Sequence, residues 1–117
     1  MSRAGPGSRT QIRRRTQALR RRISALDYLA SGTLHSRTKV CGRPNCRCAK
    51  DPRARHGPYH EWSRRSQGRL VHRILTAEQA ELIARAIANY HELLELVARW
   101  EEETAAQVLD VDPQREP

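Results

Sequence analysis

Large apolar side chains are scarce in this chain of 117 residues. It contains no phenylalanine, one methionine, two tryptophans and three tyrosines, so a core has to come from leucine, isoleucine, valine and alanine. A domain of this size buries only about two thirds of the surface that its unfolded chain exposes. Small domains with a poor core often depend on a metal ion or another cross-link. We therefore expect a metal ion or another cross-link to stabilise the fold.

Three further absences narrow the functional class. No stretch approaches the ~18 apolar residues of a membrane span, and no apolar segment of a secretory signal follows the N-terminal arginines. An odd number of cysteines, three within eight residues, does not make a disulfide framework. Before residue 76 the only acids are Asp27, Asp51 and Glu61, too few for the convergent carboxylates of a hydrolase or nuclease. We expect a cytoplasmic protein that is not an enzyme.

Charge is segregated along the chain. The net charge is +9, from 22 Lys and Arg against 13 Asp and Glu. Residues 1–75 hold 19 of the basic residues and three acids, whereas residues 76–117 hold ten acids and three arginines. A positive field concentrated in this way suits a polyanionic partner. We predict binding to nucleic acid, with DNA favoured over RNA.

Hydrophobic periodicity predicts two helices, at residues 9–31 and 76–108. Thr76 and Gln79 form a capping box at the start of the second. Apolar residues recur at helical spacing in both: Ile12, Leu19, Ile23, Leu26 and Ala30 in the first, and Ile83, Ile87, Tyr90, Leu94 and Val97 in the second. We expect the two seams to bury against each other, either within one chain or across a homodimer.

Between the helices, residues 32–75 contain three short β-prone runs, the last two joined by a turn at Gly68. The predicted fold class is α+β: a basic N-terminal helix, a small zinc-pinned three-stranded antiparallel sheet, and a long, coiled-coil-like C-terminal helix that packs antiparallel on the first. Residues 1–8 are predicted to be a disordered lead-in, and residues 109–117 an acidic tail.

The cysteines form the most specific motif. Cys41, Cys46 and Cys48 are followed by His56, and three cysteines with one histidine are a common ligand set for structural Zn2+. Free thiols without a metal are the alternative, and an iron–sulfur cluster usually takes four cysteines. His60 and His35 remain alternatives for the fourth ligand. The motif predicts a zinc site at Cys41, Cys46, Cys48 and His56.

These residues resemble a family of small uncharacterised bacterial proteins. Its signature is Cys-Gly-basic-x-x-Cys-x-Cys, then His-Gly-Pro-Tyr, a short hairpin and a helix headed by Thr/Ser-x-Glu-Gln. The resemblance covers about residues 32–97 and leaves the basic first helix outside. His60 departs from the pattern, because the family often has an aromatic residue at this position. Members are often encoded beside transposases and integrases, so the resemblance implies an accessory role for a mobile element and no established activity.

Arginine runs supply the predicted nucleic-acid contacts. Residues 1–26 contain no acid, so no i,i+4 ion pair relieves the repulsion between the arginines. An external anion is our interpretation, and pairing with the acidic C-terminal helix is the alternative. On the hairpin, arginines flank Tyr59 and Trp62, which suits phosphate contact with base stacking, unless Trp62 packs inside. The predicted contacts are Arg13, Arg14, Arg15, Arg20, Arg21, Arg22, Lys39, Arg43, Arg47, Arg64, Arg65, Arg69 and Arg73.

The sequence thus predicts a zinc-stabilised, DNA-binding accessory or regulatory protein, with a recombinase or transposase as its protein partner and no contact with a membrane. Two alternatives stay open. One is an adaptor whose helices bind a partner protein and whose charge serves that contact. The other is binding to RNA, which nothing in the sequence excludes.

Overall fold

The computed structural model describes residues 9–110 of the chain. In chain order the elements are α1 (Arg9–Ser24), β1 (Thr33–Lys39), β2 (His56–Ser66), β3 (Arg69–Leu75) and α2 (Ala77–Leu109), with 3-10 turns at Arg47–Ala49 and Pro52–Ala54. This confirms the α+β prediction of two helices around a three-stranded antiparallel sheet. The predicted lead-in and residues 111–117 of the predicted tail lie outside the described residues.

The chain divides into two compact units. The described residues of the first, which we call the helix unit, are 9–27 and 89–110. The second, the sheet unit, is Tyr28–Ala88. Helix α2 begins in the sheet unit and ends in the helix unit. Within residues 9–110, no helix combines the length and apolarity that crossing a membrane requires.

Helix α1 ends at Ser24, seven residues before the predicted end at residue 31. The Ser24 hydroxyl donates a hydrogen bond to the Arg21 carbonyl at 3.0 Å, and such bonds compete with the helical ladder. Farther along, in the sheet unit, the Ala30 amide donates to the Ala86 carbonyl in α2 at 3.2 Å. That tertiary bond replaces the helical bond that the sequence pattern predicted at this position.

Within the helix unit, α1 and α2 run antiparallel. The Arg15 Nε lies 3.0 Å from a Glu103 carboxylate oxygen, and the Arg22 Nε lies 2.6 Å from one of Glu92. Positions later in α1 therefore meet positions earlier in α2, as the sequence predicted.

The buried apolar residues of the helix unit are Ile12, Leu19 and Leu96. Ile12 and Leu19 belong to the predicted seam of α1. On α2 the predicted seam is not buried within the chain at Leu94 and Val97, which remain 50 % and 39 % exposed, while Leu96 is only 4 % exposed. The heptad pattern missed this because α2 carries further apolar residues on another face, which includes Leu96 and lies roughly 100–160° around the helix axis from Leu94 and Val97.

The sheet has the order β1-β2-β3, with both pairs antiparallel. Ser66 pairs with Arg69, which leaves Gln67 and Gly68 as a two-residue turn with φ of 54° and 80°. Two positive φ angles are typical of a type I′ turn, whose twist matches that of the flanking strands. At the other end, Thr76 and Gln79 exchange the two predicted capping hydrogen bonds, at 2.9 and 3.0 Å.

A β-bulge interrupts the pairing of β1 with β2. Arg37 pairs with Tyr59 but Lys39 pairs with His56, so two residues of β2 oppose one residue of β1. Pro58 is one of the two, and a bulge tolerates proline because the ladder hydrogen bond is already lost there. The bulge ends the regular ladder immediately after His56, at the point where β2 meets the cysteine loop.

Gly32 lets the chain enter β1 close to β2. Its φ is +105°, and a Cβ at this position would lie 2.2 Å from the Ser63 carbonyl oxygen. Gly32 directly follows the predicted end of the first helix at residue 31, where a glycine with positive φ commonly caps a helix. The structure instead uses its lack of a side chain for close backbone contact, and next to it the Trp62 Nε1 donates to the Ser31 carbonyl at 2.9 Å.

Candidate metal centre and basic surfaces

Four donor side chains meet at the open end of the β1–β2 pair. Cys41 follows β1, Cys46 and Cys48 belong to the first 3-10 turn and its cap, and His56 begins β2. Their donor atoms all lie within 4.8 Å of one another. The Cys46 Sγ is 3.3 Å from the His56 Nε2, and the Cys48 Sγ is 3.5 Å from the Cys41 Sγ. The structure thus brings together the four residues that the spacing predicted.

The distances fit a tetrahedral metal site. Metal–sulfur bonds of ~2.3 Å and metal–nitrogen bonds of ~2.0 Å place the donors of a tetrahedron roughly 3.5–3.8 Å apart. The observed separations of 3.3 and 3.5 Å are close to those edges. The four residues can therefore hold a metal ion with little rearrangement.

Local sequence explains why the loop converges. Gly42 has a φ of +84°, a conformation that glycine adopts without steric cost. The Cys46 amide donates to the Arg43 carbonyl at 3.2 Å and closes a turn. Asp51 caps the second 3-10 turn by accepting from the Arg53 amide at 2.9 Å. Short turns at both ends fold the cysteine loop back toward His56.

The two central thiols have opposite protonation tendencies. The Cys48 amide, then the side chains of Cys48, His56 and Cys41, lower the pKa of Cys46 to about 6. The Cys41 amide, which donates to the Cys48 Sγ at 3.3 Å, acts to lower the pKa of Cys48. Burial and the two neighbouring thiols outweigh it and raise that pKa. Cys46 is thus available as a thiolate, the form that binds metals, and Cys48 would release its proton if a metal ion were bound.

The other candidate histidines do not join this cluster. The His60 Nδ1 lies 2.6 Å from the Ser36 Oγ, and His35 pairs in register with Glu61 on the sheet. His56 is therefore the fourth donor. A cleft of about 760 Å³ opens beside the cluster and is also lined by Arg43, Pro44, Asn45 and Tyr59. Sequence reasoning did not predict Asn45 at this site; its position between two cysteines was the one available signal.

The structure divides the six predicted arginines of α1 between two faces. Arg15 and Arg22 lie on the side that meets α2 and pair with Glu103 and Glu92. Of the remaining four, at ~100° per residue, Arg14 and Arg21 project from the side opposite Ile12, and the other two lie on the flank away from Arg15 and Arg22. These four are Arg13, Arg14, Arg20 and Arg21, and all are exposed.

In the part of the chain that the structure describes, carboxylates do not neutralise the outward arginines. Among the described residues, no acid lies within ion-pair distance of Arg13, Arg14 or Arg21. Arg20 has its guanidinium 6.0 Å from the centre of the Trp100 ring, a contact that leaves its charge intact. We call Arg13, Arg14, Arg20 and Arg21 the outward arginine face.

The strand register places the basic residues of the hairpin on two different faces of the sheet. Trp62 pairs with Arg73, and Ser66 with Arg69, so Arg64, Arg69 and Arg73 share one face of the sheet with Trp62 because side chains alternate along a strand. Arg65 and Tyr59 lie on the other face. The Arg64 guanidinium covers the Trp62 ring at 4.7 Å. Together with the indole bond to Ser31, this contact engages Trp62 within the chain, and the side chain is half-buried rather than packed inside.

The nucleic-acid contacts predicted near the cysteines differ in whether an acidic side chain lies beside them. Arg43 is exposed beside the metal cluster, whereas Arg47 is exposed and lies 3.4 Å from the Asp51 carboxylate. The side chain of Lys39 lies outside the described part of the structure. Of the predicted loop contacts, Arg43 is thus the one that the described structure leaves without an acidic neighbour.

Comparison with known proteins identifies a family. Residues 9–85 match the model of a family described as "Domain of unknown function (DUF6788)", about two thirds of the chain. The matched region includes α1, which the resemblance seen in the sequence had left outside, and stops before the distal part of α2. Searches of curated proteins and of solved structures found no significant match. The chain belongs to the DUF6788 family, whose matched region contains both the basic helix and the cysteine–histidine cluster.

Proposed function

We propose that this protein binds nucleic acid, with DNA favoured over RNA, as a non-enzymatic, cytoplasmic regulatory or accessory factor whose sheet unit is stabilised by Zn2+. Zinc is supported by the donor set of three sulfurs and one imidazole nitrogen and by its near-tetrahedral spacing. Four protein donors close the coordination sphere, which suits a structural role and leaves no position for a substrate.

The division of the α1 arginines supports the nucleic-acid part of the proposal. Pairing with α2 neutralises Arg15 and Arg22, whereas within residues 9–110 no carboxylate pairs with the outward arginine face. Guanidinium groups crowded on one helix face repel one another, and phosphate groups relieve that repulsion by ion pairing and bidentate hydrogen bonding. We therefore assign pairing with α2 to one side of α1 and propose nucleic-acid binding for the other side.

The sheet adds phosphate contacts rather than base stacking. Arg69 and Arg73 are exposed on the Trp62 face of the hairpin. Because Trp62 is engaged by Ser31 and Arg64, its ring is not offered as a free stacking platform. Phosphate contacts carry no sequence information, so we expect binding that is strong at low salt and tolerant of sequence.

The test is a salt titration of binding to duplex DNA with two matched double variants. With about six phosphates contacted, the logarithm of affinity falls with the logarithm of salt concentration at a slope near −5. Arg14→Gln with Arg21→Gln removes two outward charges and should flatten the slope by about two. Arg15→Gln with Arg22→Gln has the same spacing and charge change one position along the helix, and should leave the slope nearly unchanged.

The outcome also separates the alternatives. Equal slopes for the two double variants would defeat the assignment of the outward arginine face. Weak binding at both low and physiological salt would end the nucleic-acid proposal and favour an adaptor. The same titration with duplex RNA decides between the two nucleic acids. An accessory role for a recombinase or transposase is supported by the family resemblance, and recombination assays with and without the chain test it.

A further inference from the structure

The distal half of α2 carries an apolar face that α1 does not cover. Tyr90, Leu94, Val97 and Glu101 follow one another at spacings of four, three and four, and we call them the seam face. Leu94 and Val97 are 50 % and 39 % exposed, whereas Leu96, on another face of the same helix, is buried. Helix α1 therefore covers one apolar face of α2 and leaves the seam face exposed.

The surface beside this face has the shape of a coiled-coil socket. A hollow of about 330 Å³ is lined by Val97, Trp100, Glu101 and Thr104. These positions are i, i+3, i+4 and i+7, the four residues that form the hole for a knob from a facing helix. Both the row of knobs and a hole are thus present on the same helix, which is the requirement for pairing with an identical copy.

We propose that the seam face binds the seam face of a second copy of this chain, with the two α2 helices antiparallel. A two-fold axis between Leu94 and Val97 brings each of these residues against the other in the second copy. The next layer then places Tyr90 in the hollow of the second copy, against its Glu101. The phenol hydroxyl can donate a hydrogen bond to that carboxylate.

The contact between Glu101 and the Tyr90 hydroxyl favours a second copy of this chain as the partner and an antiparallel arrangement of the two helices. In the antiparallel arrangement, the one charged residue of the seam face meets a hydroxyl group. In a parallel pair each Glu101 would face the other, and like charges in a seam are unfavourable. The seam face contains no arginine, so this proposal does not depend on nucleic-acid binding.

The test is the mass of the full-length, zinc-loaded protein by light scattering at tens of micromolar in about 1 M NaCl, where phosphate-mediated association is suppressed. We expect twice the chain mass of 13.4 kDa. Leu94→Asp should raise the dissociation constant more than ~10-fold. The control is Leu82→Asp, a leucine of α2 with 45 % exposure that lies ~120° away around the helix axis, and it should remain dimeric.

A monomeric wild-type chain, or a dimer that persists in folded Leu94→Asp, would overturn the proposal. Cross-linking checks the direction without relying on that variant. Copies with Tyr90→Cys mixed with copies with Glu101→Cys should form a disulfide between the two types, while each type alone should not. Cross-linking of each type with itself would show a parallel pair and overturn the antiparallel assignment.

Discussion

The two units of the molecule hold their folds by different means. The helix unit buries three branched aliphatic residues, Ile12, Leu19 and Leu96. The buried apolar residues of the sheet unit are Cys48, Ala80 and Ala86, none of which contributes a large apolar surface. At ~25 cal/mol per Å² of buried apolar area, the sheet unit gains much less from burial than its 61 residues would suggest.

Polar connections replace a core in the sheet unit. Its connecting segments are fixed by backbone and indole hydrogen bonds, by a close glycine contact and by the four donors of the metal cluster. In the helix unit, polar contacts lie beside an apolar interface and supplement it. The difference teaches that a unit whose large apolar side chains are not fully buried depends on polar connections, to which a metal ion held by the four donors would add.

Metal removal should have the largest effect and should fall on the sheet unit. We expect one zinc per chain by metal analysis of protein prepared without chelators, and less than a third of an equivalent would disprove the site. After chelation, amides of residues 33–66 should exchange with solvent near the unfolded rate, because the binding energy of a structural metal is folding energy. Amides of α1 should retain protection, as hydrogen exchange with mass spectrometry can show.

Substitutions at the donors provide the control for chelation. Cys46→Ser and His56→Asn should reproduce the loss of zinc and of protection. His60→Asn should retain the metal, since the His60 imidazole is bonded to Ser36 outside the cluster. Loss of zinc in His60→Asn but not in His56→Asn would reverse the assignment of the fourth ligand.

A core substitution should be the next largest effect, and it acts on the helix unit. Leu96→Ala removes a side chain that is 4 % exposed and should cost about 2–4 kcal/mol of unfolding free energy. Leu94→Ala is the matched control, and in dilute, monomeric protein it should cost less than about 1 kcal/mol. Urea unfolding at low protein concentration measures both. Equal losses would restore the predicted seam as the intramolecular interface.

The comparison of Leu94 with Leu96 shows where sequence reasoning stopped. Periodicity identified α2, its capping box and its heptad pattern, because these depend on nearby residues. It could not decide which of two apolar faces meets α1, since both have helical spacing. The end of α1 was also misplaced, because the bond between Ala30 and Ala86 links residues far apart in the sequence.

The metal cluster was more predictable than the basic surface. Dense cysteines with glycine and proline between them restrict the ligands to one short loop, and only the histidine had to come from another element. The arginines of α1 gave no such restriction. Their division into paired and outward sets depends on the position of Glu92 and Glu103 on a helix about 70 or more residues away.

A substitution that crowds the backbone in the sheet unit should lower the free energy of unfolding by a smaller amount. Gly32→Ala places a methyl group 2.2 Å from the Ser63 carbonyl at positive φ, and we expect a loss of about 2–3 kcal/mol. Gly68→Ala is the control, because its φ is also positive but no atom lies within 4 Å of the added Cβ. It should cost about 1 kcal/mol. A Gly32→Ala loss no greater than this control would show that β1 and β2 separate freely at this point.

The smallest expected effect is that of a single ion pair in the helix unit. Arg22→Gln breaks the contact with Glu92, in which the arginine side chain is 61 % exposed, and exposed pairs contribute about 0.2–1 kcal/mol. The loss should shrink in about 1 M NaCl because salt screens exposed charges. Arg21→Gln, one position away on the outward face, should cause no loss of stability but should weaken DNA binding.

Urea unfolding at low and high salt measures the loss of stability in Arg22→Gln. A loss above about 2 kcal/mol for Arg22→Gln would exceed what exposed pairs provide. In that case the helix unit would depend on a polar cross-link as the sheet unit does, and the contrast between the units would fail.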